Sequence, residues 1–179
     1  MKKLFVILFA VTIQSTLTLA ADRSTVKRET GGFLGVGAGY SSLSLQPQNQ
    51  AKSSFQGWNG SAEGGFIFAF TDSFGTMVSA EYKITDSTNT VKSTTYMEKA
   101  NFTQINGKLG FYFSNLTIGG GVSKTDVDIK NVSSTSTGQT QSYSGTPKLI
   151  FINYGFEKGN LRAAIEGEYT WGTIHSDIK

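Results

Sequence analysis

Few side chains in this sequence could do chemistry. The one histidine is His175, and Ser176 and Asp177 follow it directly. A histidine, a serine and an acid are the parts of an acyl-transfer site, but a nucleophile and its base must lie within hydrogen-bond reach. Adjacent residues of a strand point to opposite faces, so His175 and Ser176 would be separated, and a polar loop start is the better reading. With one histidine and no cysteine there is neither a zinc-type ligand spacing nor a disulfide framework. Asp126 and Asp128 share a face and could take calcium, yet beside a loop they read as solvated. The sequons at Asn59, Asn101, Asn115 and Asn131 follow from the abundance of Ser and Thr. No catalytic, cofactor or metal site is expected.

The other charges fall into a pattern. Glu63, Glu81, Lys83, Lys108, Arg162, Glu166 and Glu168 sit in segments where polar and apolar residues alternate, the period of a half-buried strand. From Trp58 to Phe70 the even positions carry Trp58, Phe66, Phe68 and Phe70, and the odd ones Asn59, Ser61 and Glu63. Thr71–Phe74 reads as a tight turn. From Thr76 to Thr85 the even face has Val78, Tyr82 and Ile84, and the odd face Glu81 and Lys83. Two long arms, each with one apolar and one polar face, predict a hairpin.

Four further segments repeat this pattern, and an earlier one, Gly32–Leu45, sets Leu34, Val36, Ala38 and Tyr40 against Gly35, Gly37 and Gly39. Those glycines suggest a phosphate loop, but no helix follows them, and the chain continues as strand. Residues 98–113 alternate with Phe111 and Phe113 on the apolar face. Residues 116–128 follow after the turn Ser114-Asn115, then 141–154 with a bulge at Pro147, then 161–172 with Tyr169 and Trp171 on the apolar face. Connections alternate between long polar stretches (46–56, 86–97, 130–141) and tight turns.

Ahead of these strands, Lys2 and Lys3 precede an apolar run from Leu4 to Ile13, and Thr18-Leu19-Ala20 offers a small-residue cleavage site. This is the layout of a cleavable secretory leader, so residues 1–20 are set apart as signal peptide, 21–31 as a polar lead, and 32–179 as one barrel domain. Without the two leader lysines the formal charge of +3 falls to about +1, which gives no reason to expect nucleic acid. No later apolar run is long enough for a membrane helix, and no 3.6-residue stripe recurs.

The fold expected is all-β: an antiparallel up-and-down transmembrane β-barrel of the eight-strand type, with seven strands identifiable. Loops long at one end and short at the other, strands of roughly ten to fourteen residues, and aromatics toward strand ends all favour a lipid-facing apolar surface. The aromatics expected there are Trp58, Phe66, Phe68, Phe70, Tyr82, Phe111, Phe113, Tyr169 and Trp171. The seven charged residues then form a structural ion-pair network in a lumen just filled by side chains. In a soluble ligand-binding barrel of the lipocalin kind the faces would be exchanged, and Trp58 and Trp171 would line a cavity.

The leader, Gly32–Leu45, the Gly57–Thr85 hairpin and Leu161–Trp171 together resemble the small outer-membrane barrels of Gram-negative bacteria, the OmpA membrane domain and OmpX kind. That resemblance implies eight antiparallel strands, termini on the periplasmic side, and adhesion, envelope or host-interaction roles through the outer loops. The implied partners are outer-membrane lipid and a host or surface ligand, the protein being a monomer or small oligomer. Lipid A deacylases among such barrels use a His-x-Ser pairing, from which the adjacent His175 and Ser176 depart. The family's last strand has no counterpart here. Seven strands leave two open edges, costly in lipid, so truncation, pairing by Ala21–Thr30 or oligomerisation is expected to account for the missing one.

Overall fold

The computed structural model describes residues 3–18, 30–47, 53–89, 97–133, 136–158 and 161–176. These form nine strand segments, β1 (Lys3–Thr18), β2 (Gly31–Pro47), β3 (Ser53–Thr71), β4 (Phe74–Asn89), β5 (Met97–Phe113), β6 (Leu116–Ser133), β7 (Ser136–Gly145), β8 (Lys148–Lys158) and β9 (Leu161–Ser176). β7 and β8 are two halves of one wall. β6 pairs with β7 along its later residues and with β8 along its earlier ones, and β9 flanks both halves. The break falls at Thr146-Pro147, where the sequence predicts a bulge, because proline has no N–H to give the ladder. The Pro147 carbonyl still accepts from the Ser123 N–H at 2.9 Å. Across the break, a β carbon at Gly172 would lie 2.7 Å from Pro147 Cα, so only glycine allows this approach.

The walls are antiparallel throughout and close on themselves through β1, which pairs with β2 on one side and β9 on the other. Closure therefore comes from the segment that the sequence pattern marks as leader. The sheet begins at Lys3 and has the eight walls of the expected type, one more than the seven strands identifiable from the sequence. Alternation could not reveal β1, because residues 4–11 are apolar at every position and carry no period of two. The polar lead at 21–29 lies outside the described residues.

Following hydrogen-bonded partners from Thr18 leads to Phe33, Gly65, Ser79, Lys108, Gly121, Leu149, Thr170 and back to β1 at Leu8, a stagger of ten residues. An eight-walled barrel with tilted strands has an interior that side chains can fill.

The strands run further than their polar sequences suggest. β4 reaches Asn89, β3 starts at Ser53, and the β6–β7 ladder continues to Ser133 opposite Ser136. Most of the stretch 130–141, read as a long loop, is thus strand. Ser and Thr do not oppose an extended backbone, and apolar residues on the inner face hold the ladder: Leu43, Leu45, Phe55, Ala100, Phe102, Val127 and Ile174 form one buried cluster. The tight turns at Thr71–Phe74 and Ser114-Asn115 lie where expected, while the one expected at 156–160 ends on residues 159–160, outside the described residues. Ser114 takes a left-handed φ of 54°, and its N–H donates to the Ser73 carbonyl of the neighbouring turn.

Candidate functional site: the barrel interior

β3, β4, β5 and β9 each contribute one set of alternate residues to the interior. β3 sends in Asn59, Ser61 and Glu63, and β4 sends in Ser79, Glu81, Lys83, Thr85 and Ser87. β5 adds Gln104, Asn106 and Lys108; β9 adds Arg162, Glu166, Glu168 and Thr170. All are buried. All seven charged residues chosen from the sequence are therefore inside.

Five of the seven join in one network. The Lys108 ammonium lies 2.7 Å from Glu166, 2.8 Å from Glu81 and 3.5 Å from Glu168. The Lys83 ammonium lies 3.1 Å from Glu168 and 3.5 Å from Glu81. The Asn106 amide donates to Glu81 at 2.9 Å and to Glu168 at 3.4 Å, and Thr170 donates to Glu168. Two cations bridge three carboxylates from opposite walls, which is how charge is tolerated away from water. Glu81, Glu166 and Glu168 bring carboxylate oxygens within 4.8 Å of one another, an arrangement that could hold a metal ion. Here the lysine ammonium groups supply the positive charge.

The other two charges have further partners of their own. Glu63 accepts from the Ser79 hydroxyl at 2.6 Å, and among the described residues no cation comes within ion-pair distance of it. Arg162 donates to Asn153 at 3.0 Å and to Thr117 at 3.5 Å, nearer the short turns.

Apolar layers bound this ionic one. Toward the short turns lie Phe33, Ile67, Met77 and Tyr112, with Leu149 and Phe151 extending the cluster along β8. The Phe151 ring lies 5.3 Å below the Lys108 ammonium, a cation–π contact between the two layers. At the other end is the Leu43–Ile174 cluster, with Ile129 and Tyr143 packed against it. Burial there pushes the Tyr143 phenol above its ordinary range. Neither layer was legible as such, because alternation marks a face without saying how far along it the polarity reverses.

The outer surface is the complement of the inner one. Leu34, Val36, Val78, Ile105, Leu109, Ile118, Val122, Ile150, Ile152 and Ile165 form an exposed apolar wall. Trp58, Phe66, Phe68, Phe70, Tyr82, Phe111, Phe113 and Tyr169 are exposed on it, while Trp171 is half-buried and stacks on Tyr169 at 5.6 Å. Aromatics gather at both margins. Phe74 packs with Phe70 and Phe113 around the short turns, and Tyr40 meets Trp58 edge-on at 5.6 Å on the far side. Trp58 is 73% exposed, so it lines no interior cavity. Beyond that second margin the exterior turns polar: Asp86, Lys124, Asp126, Asp128 and Lys130 are exposed, and Asp128 accepts from Ser142. His175 also faces outward, and the side chain of Ser176 lies outside the described residues.

Inner and outer faces together define the class, an all-β antiparallel barrel with a packed, charged interior and an apolar outer belt. No protein-family model matches the chain, and no curated protein matches it.

Proposed function

We propose that this protein is a non-enzymatic outer-membrane barrel of a Gram-negative envelope, exported by a leader at residues 1–20, that acts structurally or by adhesion through its outer end. The observation that carries this is the reversed polarity of the wall: Leu109 and Ile152 are exposed while Glu81, Lys83 and Glu168 are buried. Burying charge and exposing isoleucine is a costly arrangement in water and a favourable one in lipid, where acyl chains solvate the belt. Strands of 16 to 19 residues exceed the roughly nine to eleven needed to cross a bilayer. The excess fits a polar rim carrying Asp86, Asp126 and Lys130 above the membrane, where a host or surface ligand would meet the protein. The packed interior argues for a plug over a pore.

Expressed in a Gram-negative host, the protein should fractionate with the outer membrane and migrate faster unheated than boiled on a denaturing gel. Recovery only from the soluble periplasm would refute the proposal. In the soluble lipocalin-like alternative, lipid-embedded quenchers would leave tryptophan emission untouched; here they should quench Trp58.

A further inference from the structure

Height along the barrel axis follows from the stagger. Ten residues over eight walls make level positions drift by about 1.25 residues per wall along any row of hydrogen-bonded partners. From Lys148, the first residue of β8, the row runs through Val122, Gly107, Ala80, Gly64 and Leu34, descending toward the short turns. With the drift corrected, Lys148 stands level with Lys124 on β6, Ile105 on β5, Ile84 on β4, Trp58 on β3 and Tyr40 on β2. On β9 the same level passes between Tyr169 and Trp171. This is the aromatic margin farther from the short turns.

At that level the belt is one-sided. β2 to β5 carry Tyr40, Trp58, Ile84 and Ile105, all exposed and none of them charged. β6 and β8 carry Lys124 and Lys148, also exposed. Lys148 is the direct partner of both Val122 and Trp171, and Lys124 follows two residues after Val122 on the same face. The two lysines are thus diagonal neighbours, with backbones about 7–8 Å apart. Among the described residues neither makes an ion pair, although Asp126 is the next outward residue of β6. Adjacent ammonium groups without a counter-charge repel one another and favour an anion held between them. Hydroxyl donors stand beside them: Thr146 is exposed two residues before Lys148, and Thr173 is half-buried two residues after Trp171. The Trp171 indole, stacked on Tyr169, carries a further N–H.

We propose that Lys124 and Lys148, with Thr146, Thr173 and Trp171 beside them, bind the phosphate of a phosphomonoester lipid in the leaflet on the polar-rim side. The inference rests on the reading of the apolar belt as lipid-facing. A lysine at this margin lays its stem on the belt and holds its ammonium among the headgroups. The phosphate gives charge-assisted hydrogen bonds to both ammonium groups, and the acyl chains of the same lipid lie along Val122, Ile150 and Ile152, which are exposed beneath. That continuity with the belt selects a lipid headgroup over a free anion. The far wall offers the opposite environment, because the partner of Trp58 on β4 is the exposed Asp86.

The test uses the full chain refolded in phosphatidylcholine bilayers. Trp58→Phe leaves Trp171 as the single tryptophan, and Trp171→Phe leaves Trp58. Quenching of each is followed as brominated phosphatidate, a phosphomonoester lipid, or brominated phosphatidylcholine replaces the ordinary lipid. At Trp171 phosphatidate should be preferred about fivefold or more, the scale of one lysine near an anionic headgroup. At Trp58 there should be no preference. Lys124→Gln combined with Lys148→Gln should abolish the preference at Trp171, and millimolar inorganic phosphate should leave it in place. No preference at Trp171, the same preference at Trp58, or a preference that survives both lysine substitutions would overturn the proposal. Loss of the preference to inorganic phosphate would overturn the assignment to lipid. If brominated lipids quench neither tryptophan, the lipid-facing belt itself is wrong; if they quench both without regard to headgroup, the belt stands and the phosphate site falls.

Discussion

Lys108 on β5 and Glu166 on β9 meet across the barrel interior at 2.7 Å, although 58 positions separate them in the chain. This pair ties opposite walls together, and it is the shortest link in a network of two lysines and three glutamates.

Replacing Lys108 by Met removes the cation common to Glu81, Glu166 and Glu168 and leaves Lys83 to balance three carboxylates. A buried charge stripped of its partner typically costs about 3–5 kcal/mol. The folded, fast-migrating band should therefore convert to the unfolded form at clearly lower temperature or urea, and Lys108→Met combined with Glu166→Gln should recover part of the loss.

Glu63 should behave in the opposite way. Among the described residues it accepts from Ser79 and has no cation in contact. Glu63→Gln removes a buried carboxylate that has no cation in direct contact among the described residues while keeping an oxygen for Ser79, so the unfolding midpoint should stay level or rise. Glu81→Gln, measured in the same assay, should lower it.

Gly119 and Gly60 separate crowding from open space. A β carbon on Gly119 would meet the Leu109 carbonyl and come within 2.6 Å of the Phe151 ring, whereas one on Gly60 meets nothing within 4 Å. Gly119→Ala should destabilise by about 1–3 kcal/mol through overpacking. Gly60→Ala should be neutral or mildly stabilising, and both are read from urea midpoints in detergent.

The outer wall can be mapped by placing charge on it. Leu109→Arg, in the middle of the apolar belt, should cost about 2–4 kcal/mol in bilayers, and Asp126→Arg on the polar rim close to nothing. Equal costs at the two positions would mean that the belt is not in lipid.

The inward and outward faces of β3, β4, β5 and β9 could be read directly from alternation, which is why Glu63, Glu81, Lys83, Lys108, Arg162, Glu166 and Glu168 all lie inside. Pairing was not legible, because alternation assigns a face but not a cross-barrel neighbour; the contact of Lys108 with Glu166 depends on the stagger. Strand ends were underestimated wherever Ser and Thr dominate. There Leu43, Phe55, Phe102 and Val127, spaced too widely to stand out, hold the ladder together. β1 could not be read as a strand for a different reason: residues 4–11 are apolar at every position and carry no period of two.

The stagger of ten residues over eight walls has a mechanical corollary. Strand number and stagger set the radius of a closed sheet, whatever fills it. Shortening Lys83, Glu168 or Phe151 would create a void without widening the tube, and exchanging β1 for another antiparallel strand in the same register would leave the diameter unchanged. The bore of this protein is thus fixed by backbone hydrogen bonds, and its contents can vary without altering the wall.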